Sequence, residues 1–305
     1  MIYTLTLNPA IDYKIVVDGF QKGCLNHALS SNFLAGGKGI NVSSVLKNFE
    51  TESIACGFLG GFTGDYIKCS LDLRGIKNDF IKIAEHTRIN IKMMSDGEET
   101  EINGNSPAIL ESDFKYLIKI FKNIDKDILI MSGSIPTSLG ANAYNEIAKN
   151  LSSNAQLIID TSGIALQKAV ELKPFLIKPN IHELEELLGI KLSSRQDVVK
   201  GGYSLIERGV QNIIVSMGGD GAVFISDKET YIASVPKINS ISTIGAGDSV
   251  VAGFVHAYQN GNSFYDSFKF GIASGTATAL KGQLCSVDDV KEILDKINIQ
   301  QLALE

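Results

Sequence analysis

The chain has 305 residues, 44% of them hydrophobic and 20% charged, and can bury a large core without disulfide or metal staples. A formal net charge of −6 argues against nucleic acid or an acidic membrane surface as the main partner, because both select a basic face. Four scattered cysteines with no Cys-x-x-Cys pair, no signal-peptide pattern and no apolar run of membrane-spanning length point to a reduced, cytoplasmic setting.

Strand-like and helix-like segments alternate along most of the chain. A strand is predicted at 2–7, a helix at 39–49, a strand at 53–59 and a helix at 64–73. In the helix predicted at 111–122, Phe114, Leu117, Ile118 and Phe121 recur at helical spacing. A strand at 127–131, a helix at 143–151, strands at 156–160 and 175–178 with a short helix between them, and helices at 181–188 and 197–208 follow. Strands at 212–216, 222–226 and 230–233 precede helices at 247–259, 263–280 and 287–297. Short apolar runs such as Ile-Leu-Ile-Met and Leu-Ile-Ile suit strands buried on both faces. The fold class is therefore α/β, with one domain over 1–305 and a mostly parallel sheet covered by helices on both sides. Two stretches, 13–17 with 26–35 and 87–94 with 100–103, break the alternation and contain no helix. They are predicted to form a small accessory sheet, inserted at about 12–36 and 87–104.

The strongest chemical signal is Ser242-Thr-Ile-Gly-Ala-Gly-Asp248, leading into a long helix. Glycines allow a sharp turn, and the first turn of a helix offers free N–H groups to an anion. Asp248 beside such a pocket could take a proton from an attacking alcohol; the plain alternative is an acidic residue favoured by the helix dipole. Lys178-Pro-Asn180-Ile-His-Glu183 spans a strand-to-helix junction. It reads either as a Mg²⁺-ordering carboxylate, Glu183, or as a capping box. Ala35-Gly-Gly37-Lys38-Gly-Ile-Asn41 could bring Lys38 and Asn41 to phosphate and hydroxyl groups, or be a glycine-rich turn with a solvated lysine. It is not a Walker A loop. In Thr87-Arg88-Ile-Asn90-Ile-Lys92, alternation puts Arg88, Asn90 and Lys92 on one face, as a phosphate fork or merely a wet strand face. Asp12 in Asn8-Pro-Ala-Ile-Asp12 suits sugar hydroxyls or simple turn chemistry. Ser216-Met-Gly218-Gly-Asp-Gly221 suits a nucleotide edge or a hairpin turn. An NAD-dependent oxidoreductase is disfavoured because no Gly-x-Gly-x-x-Gly links a strand to a helix.

Together, Gly-Gly-Lys-Gly-Ile-Asn, Lys-Pro-Asn-Ile-His-Glu and Ile-Gly-Ala-Gly-Asp-Ser resemble the signatures of the ribokinase-like (PfkB) carbohydrate kinases, in the family's order and across essentially the whole chain. Thr4-Leu-Thr-Leu-Asn-Pro-Ala-Ile-Asp12, Gly57-Phe-Leu-Gly-Gly-Phe-Thr-Gly-Asp65, Thr87-Arg-Ile-Asn-Ile-Lys92 and Glu99-Thr-Glu-Ile-Asn-Gly104 are similar to the subgroup acting on fructose 1-phosphate. Asn105-Ser106-Pro107 departs from that subgroup's usual Gly-Pro-Gly. The resemblance implies a ribokinase-like three-layer α/β/α core with a β-sheet lid that commonly forms a homodimer interface. It implies ATP, Mg²⁺ and a phosphorylated ketose as ligands, and leaves room for a monovalent cation. It also assigns roles. Asp248 becomes the base, with Gly245, Ala246 and Gly247 as the anion hole. Asp12, Gly37, Lys38 and Asn41 hold the sugar, with Arg88 and Lys38 near its phosphate. Lys178, Asn180, Ser216, Gly218 and Gly221 approach ATP, and Glu183 orders Mg²⁺ and water. Relatives acting on tagatose 6-phosphate or fructose 6-phosphate are the nearest alternatives; a non-catalytic phosphosugar sensor is disfavoured by the intact Gly-Ala-Gly-Asp.

Overall fold

The computed structural model describes residues 1–122, 124–237 and 240–302. Seven strands run parallel: β1 (Ile2–Thr6), β4 (Ser53–Gly60), β5 (Lys77–Ile83), β8 (Ile128–Ser132), β9 (Gln156–Asp160), β10 (Leu176–Ile177) and β11 (Asn212–Ser216). Three antiparallel strands extend this sheet past β11: β12 (Ala222–Ser226), β13 (Thr230–Ser234) and β14 (Asn298–Leu302). The spatial order is β14-β13-β12-β11-β10-β9-β8-β1-β4-β5.

The sheet is apolar on both faces because successive side chains alternate between two cores. In β8, Leu129 and Met131 face one cluster, and Ile128 and Ile130 the other. The first cluster is covered by α3 (Glu111–Phe121), α4 (Ala143–Ala148), α5 (Gly163–Val170), α6 (Ile181–Leu188) and α7 (Arg195–Glu207). The second is covered by α1 (Lys38–Asn48), α8 (Ala246–Gln259), α9 (Phe264–Lys281) and α10 (Val287–Leu294). This is the three-layer arrangement expected from the alternation. Two edge strands, β5 and β14, lie outside the predicted elements; β14 has no buried residue, and β5 buries only Ile81 and Ile83.

The accessory stretches fold as expected into a second, four-stranded sheet: β2 (Ala10–Val17), β3 (Ala28–Gly36), β6 (Arg88–Ser95) and β7 (Glu98–Ile102), in the order β3-β2-β6-β7. Only the β2–β6 pair is parallel. A small third cluster, with Ile11, Ile40, Leu59, Ile67 and Leu71, fastens β2 to α1 and to α2 (Gly61–Leu73). Among the described residues no helix is long and apolar enough to cross a membrane.

Strand order fixes where a ligand can enter. From β1 the chain passes through α1 to β4 on one side, and β8 lies on the other, so a crevice opens outside the carboxyl ends of β1 and β8. Gly36, the last residue of β3, is separated by one residue from the start of α1, so the small sheet joins the large one at this crevice.

Candidate active site

Gly245 caps α8 with φ of 76°, a left-handed conformation that side-chain-bearing residues rarely adopt. No side chain caps the helix. The amide of Ala246 donates to Thr243 O at 3.2 Å, whereas the first-turn amides of Gly247 and Asp248 have no acceptor within the helix. Part of the predicted anion hole is thus spent on holding the turn, and the free donors lie at Gly247 and Asp248.

Asp248 sits in this first turn and is 5% exposed. Its Oδ2 accepts a hydrogen bond from Asn41 Nδ2 at 2.8 Å. Burial, then the nearby Asp160 carboxylate, push its pKa up to about 6; Lys38, the Asn41 hydrogen bond and Lys178 restrain the rise. Two residues that are 207 positions apart in the chain therefore form one unit, because α1 and α8 pack side by side against the same face of the sheet.

Asp160, the last residue of β9, is 1% exposed and was missed by sequence reasoning. Lys38 Nζ donates to its Oδ1 at 3.1 Å, and Lys178 Nζ lies 3.4 Å from the same oxygen. Burial alone would raise the Asp160 pKa, but Lys178 and Lys38 overcome that effect and hold it below the ordinary carboxylate range. Asp160 in turn raises the pKa of Lys38 against its own burial, with smaller help from Asp248 and Glu183. The available signal was an aspartate closing the apolar run Leu-Ile-Ile at the carboxyl end of a parallel strand.

A second group lies on the small sheet. The β2–β6 register sets Asp12 opposite Asn90. Asp12 accepts from Asn90 Nδ2 at 3.0 Å and pairs with Lys92 Nζ at 3.4 Å. A Cβ on Gly36 would lie 2.7 Å from Asp12 Oδ2, so this carboxylate lies against the backbone two residues before Lys38. Gly37, the N-cap of α1, has φ of 127°, and a Cβ there would lie 2.7 Å from Thr6 Cγ2. Arg88 donates through Nη2 to Asn8 O at 3.2 Å and through Nη1 to Gly104 O at 3.5 Å, while its buried Nε has no partner among the described residues. Burial lowers its pKa and Asp12 opposes that. Lys38 and Arg88 therefore have separate partners: Lys38 belongs with Asp160 and Asp248, and Arg88 with the Asp12 side.

The third group lies at the ends of β10 and β11. Asn180 and Glu183 form a full capping box on α6: Asn180 Oδ1 accepts from the Glu183 amide at 2.9 Å, and Glu183 Oε2 accepts from the Asn180 amide at 2.8 Å. A parallel bridge joins Asn180 to Ser216, whose amide donates to Pro179 O at 3.0 Å. Gly218 and Gly221 lie in the hairpin connection between β11 and β12. Among the described residues, no group of three or more His, Cys, Asp or Glu side chains is placed to hold a metal.

The sequence pattern of the pfkB family carbohydrate kinases matches residues 5–290. The chain belongs to that family. Among pfkB relatives, the 1-phosphofructokinase of Borreliella burgdorferi is 60% identical over 304 residues, covering 99% of each chain. The tagatose-6-phosphate kinase of Staphylococcus epidermidis is 35% identical over 309 residues, covering 98% of this chain and 99% of that one. The crystal structure of phosphofructokinase-2 from Escherichia coli in complex with fructose-6-phosphate superposes with a TM-score of 0.91 at 28% identity, covering 96% of this chain and 98% of that one.

Proposed function

We propose that this pfkB kinase transfers the γ-phosphoryl group of ATP to the C6 hydroxyl of D-fructose 1-phosphate, giving D-fructose 1,6-bisphosphate and ADP. The observation that carries the reaction is the buried Asp248 carboxylate in the uncapped first turn of α8. The choice of sugar leans on the relative of that name, at 60% identity.

In this reading Asp248 accepts the C6 hydroxyl proton as the oxygen attacks the γ-phosphorus. Asn41 orients the carboxylate through its 2.8 Å hydrogen bond. The free amides at Gly247 and Asp248 face the charge that builds on the transferring group. Asp12 and Asn90 hold sugar hydroxyls, and Arg88 takes the C1 phosphate with donors now spent on two carbonyls. The nucleotide runs along Lys178, Asn180 and Ser216 toward the Gly218–Gly221 turn. One Glu183 oxygen is committed to the cap, and no metal-holding carboxylate cluster stands among the described residues. Such a donor set fits a Mg²⁺ held mainly by phosphate oxygens and water, with Glu183 at its outer edge. The ion, when bound, neutralises triphosphate charge.

A substrate panel tests the choice of sugar. Fructose 6-phosphate and tagatose 6-phosphate already carry phosphate on C6, so they must present C1 and bind reversed. Fructose 1-phosphate should exceed both in kcat/KM by about 100-fold. Equal turnover of tagatose 6-phosphate would refute the assignment.

One face of the small sheet exposes Leu29 (71%), Phe33 (47%) and Ile102 (57%). We infer that it pairs with the same sheet of a second copy, in the cytoplasm. Leu29→Asp combined with Phe33→Asp should convert a dimer to a monomer in sedimentation velocity; a wild-type monomer at micromolar concentration would exclude this interface.

A further inference from the structure

The proposed reaction gives Lys178 to the nucleotide but leaves the Lys38–Asp160–Lys178 cluster, gathered on a buried carboxylate, without a role. Its two lysines come from separate elements, the first residue of α1 and the residue after β10, and converge on one oxygen of Asp160. The other oxygen, Oδ2, is buried and has no hydrogen-bond partner among the described residues. Apart from the two ammonium groups, the Asp160 carboxylate has no side-chain or amide donor among its hydrogen bonds, so its charge acts on those two cations. A carboxylate serving only the fold is usually met by backbone amides, as Asp197 is at the start of α7.

The location of the cluster gives it a task. A Cβ on Gly247 would lie 3.1 Å from Lys178 Nζ, so that ammonium sits against the glycine turn of α8. The Lys38 side chain keeps 38% of its surface exposed while bonded to Asp160, so one side of it still faces the cleft. Asp248 opens from the same turn. We propose that Asp160 is a positioning residue that holds Lys38 and Lys178 as a two-cation clamp on the phosphoryl group in transit. The proposal rests on the kinase reading given above, and it moves Lys38 from the sugar's existing phosphate to the transferring one.

The reason for a carboxylate here is electrostatic. Two ammonium groups brought together in a dry crevice repel each other, and desolvation disfavours their charged forms. A negative charge between them offsets that repulsion and fixes their spacing. It leaves their outer hydrogens free for an incoming anion, and fixed donors cost no reorganisation when charge develops. A clamp on the moving group stabilises the transition state more than the ground state, so its loss should appear in kcat rather than in KM for the sugar phosphate.

Asp160→Asn tests this. It should lower kcat on the order of 100-fold while KM for the sugar phosphate stays within about threefold. The charged and titratable groups acting on Asp248 are Asp160, Lys38 and Lys178. Removing the Asp160 charge should therefore move the acid limb of the pH profile to lower pH, and Lys38→Gln should lower kcat and move the limb to higher pH. These opposite displacements are not expected of a residue that only holds the fold. ¹³C titration of the Asp248 carboxyl in the unliganded protein reads the same displacements without any substrate. It separates failure of the clamp from failure of the kinase reading. If Asp160→Asn does not fold, Lys38→Gln, at a half-exposed position, carries the test alone. Wild-type turnover in either variant, or losses confined to sugar KM, would overturn the proposal.

Discussion

Asp248→Asn should reduce kcat by about 10³-fold, within the range a positioned general base contributes, while KM for ATP changes little. The substitution preserves shape and can still meet Asn41, so the fold should survive; a melting curve close to wild type checks that point. The amides of Gly247 and Asp248 remain, which is why residual turnover above the uncatalysed rate is expected. The wild-type enzyme should also show an acid limb in kcat/KM near pH 6, because the carboxylate works only when deprotonated and its pKa is raised to about 6. The sign is fixed by chemistry: activity falls as pH drops through that value, and for an ordinary exposed aspartate the fall would come about two units lower. In Asp248→Asn this limb should vanish. Near-normal kcat in the variant would end the assignment of Asp248 as base, even if the fold and family stand.

Arg88→Ala should raise KM for fructose 1-phosphate by roughly 10- to 100-fold, the range for losing a charge-assisted contact, and leave KM for ATP nearly unchanged. Among the described residues, the hydrogen-bond partners of Arg88 are the carbonyls of Asn8 and Gly104, away from the α8 turn and the β10–β11 edge. Its buried and unpartnered Nε is the sort of donor that a phosphate oxygen would satisfy. Because the C1 phosphate does not react, its binding energy acts on orientation of the distant C6 hydroxyl, and a modest loss in kcat should accompany the larger change in KM. Equal increases for sugar and nucleotide would argue for general loosening of the small sheet instead. Arg88→Lys should recover only part of the loss, since an ammonium cannot reproduce the planar fork.

Much of this architecture is written in local pattern. Buried strands such as β8 and β9 declare themselves because both faces are apolar, and helices such as α6 and α8 because punctuation marks their starts. The edge strands β5, Lys-Asn-Asp-Phe-Ile-Lys-Ile, and β14, Asn-Ile-Gln-Gln-Leu, escaped notice because a solvated edge asks for few apolar residues. For the site, glycine and acid placement marked Lys38, Asn41, Asn180, Glu183 and Gly245–Asp248 segment by segment, and the family resemblance joined them, with Gly37, into one site.

The sequence by itself therefore determined the layered α/β class, the accessory strands, the family and the segments that carry chemistry. Single elements and motifs are each encoded within a dozen or so neighbouring residues, and the class and the family follow from their order along the chain. Tertiary structure alone decided that Asn41 meets Asp248, that Asp160 gathers Lys38 and Lys178, and that Arg88 and Lys38 serve different neighbours. Such pairings depend on which strand ends lie side by side after folding, and nothing in the local pattern around Asp160 distinguishes a buried aspartate bonded to two lysines from one that merely ends a strand.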